Sequence, residues 1–112
     1  MSKIERIDSE LGKQIAMIIE RDLKHPMITG LVSVTSVNTT NDLGSAKVRI
    51  STLGSTSKIE DVVEALNHSA GFIRRQLKSK LNIRMIPELT FYPDINMEYA
   101  VRISKIIDDV NK

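Results

Sequence analysis

The 112-residue chain contains no cysteine and no tryptophan, and only two Phe, two Tyr and three Pro. Without cysteine, a disulfide framework and thiol catalysis are both closed to it, which suits a reducing cytoplasm. No apolar run approaches the ~18 residues that a membrane span needs. The charged, periodic start Met1-Ser2-Lys3-Ile4-Glu5-Arg6 is unlike a secretory signal. Scarce aromatics leave few platforms for base stacking, so any nucleic-acid binding must lean on charge and backbone shape. His25 and His68 have no second His or Cys at metal-ligand spacing. His68 beside Ser69 is only an adjacency, not a nucleophile–base pair. The glycines at 12, 30, 44, 54 and 71 match neither the phosphate loop nor the dinucleotide fingerprint. Glu60, Asp61 and Glu64 read as helix first-turn charges. No catalytic constellation emerges, and neither a metal nor a cofactor is expected.

What is present is ordinary in bulk and uneven in detail. An apolar fraction of 41% and a charged fraction of 27% fit one globular domain over residues 1–112. Lys and Arg number 16 against 14 Asp and Glu, a net of +2. Between Ala65 and Pro87, however, there is no acidic residue and five basic ones: Arg74, Arg75, Lys78, Lys80 and Arg84. Setting these five aside leaves 11 basic against 14 acidic residues, a net of −3. The basic character is therefore local, and local charge is what a phosphate backbone feels.

Ser2 and Glu5 have capping-box spacing, and Ile4, Ile7, Leu11, Ile15, Ile18 and Ile19 follow at helical intervals. This helix is expected to run to about Leu23, with His25-Pro26 stopping it. Leu31 to Thr40 reads as a strand in which Val37 is out of phase with Val32 and Val34, the mark of a bulge near Thr35-Ser36. Asn41-Asp42-Leu43-Gly44 reads as a turn, with Gly44 free to take positive φ. Ala46, Val48 and Ile50 then alternate with Lys47, Arg49 and Ser51 in a second strand with one wet, basic face. Ser57 and Glu60 suggest another capping box ahead of Ile59, Val62, Val63, Leu66 and Ala70. After Gly71, Ile73, Leu77 and Leu81 share a helical face. Glu88 to Tyr92 alternates as a third strand, with Leu89 and Phe91 inward, and a last helix is expected after Pro93-Asp94 with Tyr99, Ile103, Ile106, Ile107 and Val110 inward. The economical architecture is α+β, a three-stranded sheet with helices packed on one face.

At about 100° per residue, Arg74, Arg75 and Lys78 fall in one arc with Gly71, away from Ile73, Leu77 and Leu81. Like charges three and four residues apart cost a helix ~0.2–0.5 kcal/mol per pair, and no acidic neighbour on that helix offsets them. Such a face is either merely solvated or binds phosphate. A mid-helix glycine costs ~1 kcal/mol relative to alanine. Gly71 therefore marks a junction demanded by packing, a place where backbone N–H groups are left open to an anion, or both.

Gly71-Phe72-Ile73-Arg74-Arg75, Arg84-x-x-Pro87-x-Leu89-x-Phe91 and Arg102-Ile103-Ser104-Lys105-Ile106-Ile107, in this order of elements, resemble the bacterial ribosome-binding factor A family over nearly the whole chain. The resemblance implies a KH-like fold of the second type, helix-strand-strand-helix-helix-strand, here with a short C-terminal helix and no long tail. It implies that an Ala-x-Gly kink between helices replaces the Gly-x-x-Gly loop of ordinary KH domains. The matching positions are Ser69, Ala70 and Gly71, with serine at the family's alanine, where its hydroxyl has backbone groups within reach. It further implies a cytoplasmic, non-enzymatic factor, a monomer, that binds the free small ribosomal subunit late in assembly. Such a factor assists 5′-end maturation of 16S rRNA and supports growth in the cold. Within that frame Arg74, Arg75 and Lys78 are the expected phosphate contacts, with Lys80 and Arg84 extending the track. Lys47 and Arg49 are secondary candidates, for which solvation is the simpler role. The competing expectation is an adaptor that docks its basic helix on an acidic protein.

Overall fold

The structure, a computed structural model, describes residues 2–94. Three helices and three strands follow in the order α1 (Lys3–Arg21), β1 (Leu31–Thr39), β2 (Ser45–Leu53), α2 (Ile59–His68), α3 (Ala70–Lys80) and β3 (Glu88–Pro93). This is the KH-like order of the second type. The sheet runs β1-β2-β3, with β1 antiparallel and β3 parallel to β2. The expected last helix lies outside the described residues.

Alternation along β2 and β3 sends Ala46, Val48, Ile50, Leu89 and Phe91 to one face, where they are buried. Leu11, Ile15, Ile18 and Ile19 of α1, Leu66 of α2, and Ile73 and Leu77 of α3 join them in a single core. Each such side chain contributes roughly 1.5–3 kcal/mol when fully withdrawn from water. Ser45, Lys47, Thr90 and Tyr92 are exposed on the opposite face. The bulge is present: register shifts between Val34, paired with Ile50, and Ser36, paired with Arg49. Thr35 is the extra residue, and its hydroxyl donates to the carbonyl of Arg49.

Both sheet edges are met by helix side chains. At the β1 edge the backbone N–H of Thr39 (3.0 Å) and its hydroxyl donate to Asp8 of α1. At the β3 edge Phe91 N–H donates to Asn67 Oδ1 at 2.8 Å, and Asn67 Nδ2 donates to Phe91 O at 3.1 Å. The amide of Asn67 thus stands in for a further strand and satisfies groups that would otherwise invite edge pairing.

The Ser2–Glu5 capping box forms. Several other local expectations require correction. The helix α1 ends at Arg21, short of Leu23, because Asp22 and Leu23 N–H both fold back onto the carbonyl of Ile18. The chain has left the helix before Pro26 acts. In the turn, Leu43 takes the left-handed conformation (φ 61°), and Gly44 is not among the positive-φ residues. Asp42 decides this, since its carboxylate accepts from the Thr40 hydroxyl at 2.6 Å and from Gly44 N–H at 2.9 Å. These two donors, the Thr40 hydroxyl foremost, hold the Asp42 carboxyl below the usual aspartate range. No second capping box forms either. Lys58 is the N-cap of α2 and makes no side-chain cap bond, while Ser57 N–H is drawn to the Ser55 hydroxyl.

Gly30 has φ +71°, and a Cβ there would lie 2.6 Å from Leu53 O and 2.7 Å from Ser55 N. Gly30→Ala combines left-handed strain, ~1–2 kcal/mol, with a clash against rigid backbone. Urea denaturation is expected to show a loss of at least ~2 kcal/mol. Asn67→Ala strips the β3 edge of both bonds, and the same measurement is expected to show a loss of ~1–3 kcal/mol. An unchanged midpoint in urea would mean that water satisfies Phe91 as well as the amide does.

Candidate nucleic-acid interface

The two helices after β2 meet at one residue. Ser69 closes α2 and opens α3, with φ −95° and ψ 3°, the sparsely allowed bridge region between helix and strand. Its N–H donates to Ala65 O (3.1 Å) and Leu66 O (3.0 Å), and its carbonyl accepts Ile73 N–H (3.0 Å). The bend is therefore carried by backbone bonds. The Ser69 hydroxyl makes no capping bond to either helix, so it does not reset the bend in the way its chemistry allowed. The break lies at Ser69, two residues before Gly71, and Ala70 and Gly71 are the first residues of α3.

Gly71 is exposed, and a Cβ added to it would meet nothing nearer than Arg75 Nη1 at 3.8 Å. Packing among the described residues does not demand glycine there. Of the two readings of Gly71, an open backbone at the start of α3 is the one with geometric support. No side chain caps this helix and its first turn carries no acidic residue.

Burial of Ile73 and Leu77 fixes the rotation of α3 and turns Arg74, Arg75 and Lys78 outward. Together with Gly71 they form one wall of a cleft of about 440 Å³, whose other wall is Ile83, Arg84, Met85 and Ile86. Among the described residues no acidic side chain lines it. Four of the five expected cations thus converge on one concavity. Arg74 also has a structural task, since its Nη2 donates to Ile86 O at 2.9 Å and ties the helix to the loop. A guanidinium carries five N–H donors, so most of them stay available.

Lys80 is placed differently. Its Nζ lies 3.2 Å from Asp22 Oδ2, both side chains being about one-third exposed (34% and 33%). A pair this wet contributes ~0–1 kcal/mol, but it draws Lys80 toward the end of α1 and out of the cleft lining. Lys47 and Arg49 stand apart again, on the open sheet face, where Lys47 Nζ is 6.0 Å from the centre of the Tyr92 ring. That separation is at the outer limit of a cation–π contact.

Ile83, Met85 and Ile86 complete the cleft without having been singled out from the sequence. Met85 is 50% exposed, and the available signal was a methionine beside Arg84 in a segment free of acids. Among the described residues no group of His, Cys, Asp or Glu could hold a metal ion, and no helix is long and apolar enough to cross a membrane.

Residues 3–107 match the model of the family described as ribosome-binding factor A. The ribosome-binding factor A of Acetivibrio thermocellus is 39% identical over 111 residues, spanning 99% of this chain and 90% of that protein. The crystal structure of ribosome-binding factor A from Thermus thermophilus superposes with a TM-score of 0.70 at 21% identity, covering 80% of this chain and 93% of the other. A model of the Thermus thermophilus factor fitted into the cryo-EM map of a 30S–RbfA complex gives a TM-score of 0.62 at 22% identity, covering 76% and 88%. The sequence kinship is long and even, and the structural likeness gives the same α-β-β-α-α-β frame. The chain belongs to the ribosome-binding factor A family.

Proposed function

We propose that this protein binds the free small ribosomal subunit through phosphates of 16S rRNA and assists late maturation of that rRNA, including its 5′ end. It does so as a cytoplasmic, monomeric binding factor and not as an enzyme, with the whole chain acting as one domain. The observation that carries the reading is the convergence of Arg74, Arg75, Lys78 and Arg84 on one cleft that no acid of the described residues lines, beside the exposed backbone of Gly71. Further support comes from the related Thermus factor, which has been fitted into a map of its complex with the 30S subunit. The cleft offers point and forked donors to a folded backbone but few aromatic faces, so binding rests on charge and shape more than on stacking. Lys80, engaged with Asp22, is a peripheral contributor, and Lys47 and Arg49 serve chiefly to solvate the sheet.

Charge reversal of Arg75, Lys78 and Arg84 together reverses three of the four cations of the cleft while sparing the Arg74–Ile86 bond. Co-sedimentation with free small subunits is expected to be lost with the melting temperature unchanged. For the unmodified protein, log affinity for naked 16S rRNA is expected to fall with log salt, and the triple variant to flatten that slope by about 2–3. Retained co-sedimentation by a folded variant would sink the phosphate reading. An adaptor docking on an acidic protein would instead bind subunits but show no affinity for naked rRNA.

Gly71→Ala separates fold from function at a single atom. With no neighbour among the described residues to obstruct a Cβ, stability in urea is expected to rise by ~0.5–1 kcal/mol. Subunit binding is expected to weaken, because the methyl group stands where backbone and rRNA approach. A variant both more stable and fully binding would show that no ligand comes close to this position.

A further inference from the structure

The three helices all pack on the sheet face that bears Val48 and Phe91. Among the described residues no helix covers the opposite face. Side chains alternate along a strand, so Leu31 and Ser33 of β1 fall on that open face, paired across the strands with Leu53 and Ser51 of β2. Leu31 is 53% exposed and Leu53 72%. Tyr92, 40% exposed, joins them from β3 beside Arg49. Five large hydrophobics are exposed among the described residues, and these are three of them. Only the small Ser51 separates Leu53 from Arg49 along this face of β2, which leaves a shallow floor beside the apolar pair.

The chain leaves the sheet at this same end. Pro93 is the last partner of β3, opposite Ile50, and Asp94 N–H donates to Ile50 O at 2.8 Å. Leu53 lies three residues further along β2, which is ~10 Å at ~3.3 Å per residue. Residues 95–112 follow Asp94. In their sequence Tyr99, Ile103, Ile106, Ile107 and Val110 fall within one arc of about 100° at helical spacing. Glu98, Arg102, Lys105 and Asp109 gather to one side of that stripe and leave it free of charge. A helix over 99–110 would be ~18 Å long, which fits along a strand of nine residues, ~30 Å.

We infer that residues 95–112 of the same chain fold onto the open face as an amphipathic helix whose apolar stripe covers Leu31, Leu53 and Tyr92. The sheet then becomes the middle of three layers. The cleft of α3 lies on the helical side and is left untouched, so phosphate binding stands or falls separately. A second copy of the chain fits the patch less well. Three partly exposed side chains fall far short of the ~800 Å² per partner that a stable interface buries. A segment tethered ~10 Å away meets the patch at an effective concentration on the order of millimolar, so little contact area is needed to hold it.

The test uses the full chain. Because it has no cysteine, Ser33→Cys provides a single attachment point for a nitroxide on the open face. Amide NMR signals of residues 99–110 are expected to broaden more strongly than those of Arg75 and Lys78. In a mixture of spin-labelled chains with isotope-labelled chains that lack the nitroxide, no such broadening is expected. Leu53→Asp, at a position already 72% exposed, is expected to speed amide exchange across 99–110 about tenfold or more. Exchange at Ile18 and Val48 in the core is expected to stay as it was. Leu31→Ser is the milder second variant and is expected to act in the same direction. Signals of 99–110 that stay sharp would overturn the docking, and so would exchange there that neither variant changes. Broadening in the mixture would assign the patch to a second copy, which also overturns it.

Discussion

The parallel pairing of β2 with β3 is the constraint on which the remaining architecture depends. Adjacent parallel strands cannot be joined by a tight turn, so the chain must leave one end of the sheet and re-enter at the other. Here the return is made by α2 and α3, which bury Leu66, Ile73 and Leu77 on the same apolar sheet face as Val48 and Phe91. The break at Ser69 bends the return, and helix-type backbone bonds run across the bend. From this the functional geometry follows: the inward face of α3 is set by Ile73 and Leu77, so the outward face is set as well. The loop from Leu81 to Pro87 must then pass close beside α3 to reach β3, which brings Arg84 opposite Arg75 and Lys78.

Charge in this chain has two uses, and position separates them. Arg74 and Lys80 each bond within the protein, the first to a loop carbonyl and the second to Asp22. Arg75, Lys78 and Arg84 line the cleft and appear in no ion pair among the described residues. Unscreened like charges at helical spacing weaken α3, as does glycine at its second position. These local costs are borne by a core in which Phe91, Leu11 and Ile15 are essentially fully buried. A binding face can be less than optimal for stability because the other side of the same helix is anchored.

Particular residues show how far the sequence could be read. The alternation of Ala46, Val48 and Ile50 and the misphased Val37 gave away β2 and the bulge, because side-chain direction along a strand is a local matter. The box at Ser2 and Glu5 formed as spaced. The similar spacing at Ser57 and Glu60 did not, because Ser55 competes for Ser57 and the helix starts one residue later. Likewise the turn signal at 41–44 was right while the residue bearing positive φ was not, since Asp42 accepts from two neighbours and shifts the strain onto Leu43. In both places a polar side chain chose between backbone alternatives that differ little in energy.

Helical and strand periods, the acid-free run from Ala65 to Pro87 and the family motifs were written into the order of residues, since each depends on neighbours a few positions apart. The shortage of aromatics likewise leaves few platforms for base stacking, a matter of composition alone. Which cations converge, that Gly71 has open space around it among the described residues, and that Leu31 and Leu53 stand exposed as a pair could be known only once the chain was packed. Arg84 stands nine residues from Arg75 along the chain, yet the two line one cleft. Distances of that kind are settled by the burial of a common core, and no local preference encodes them.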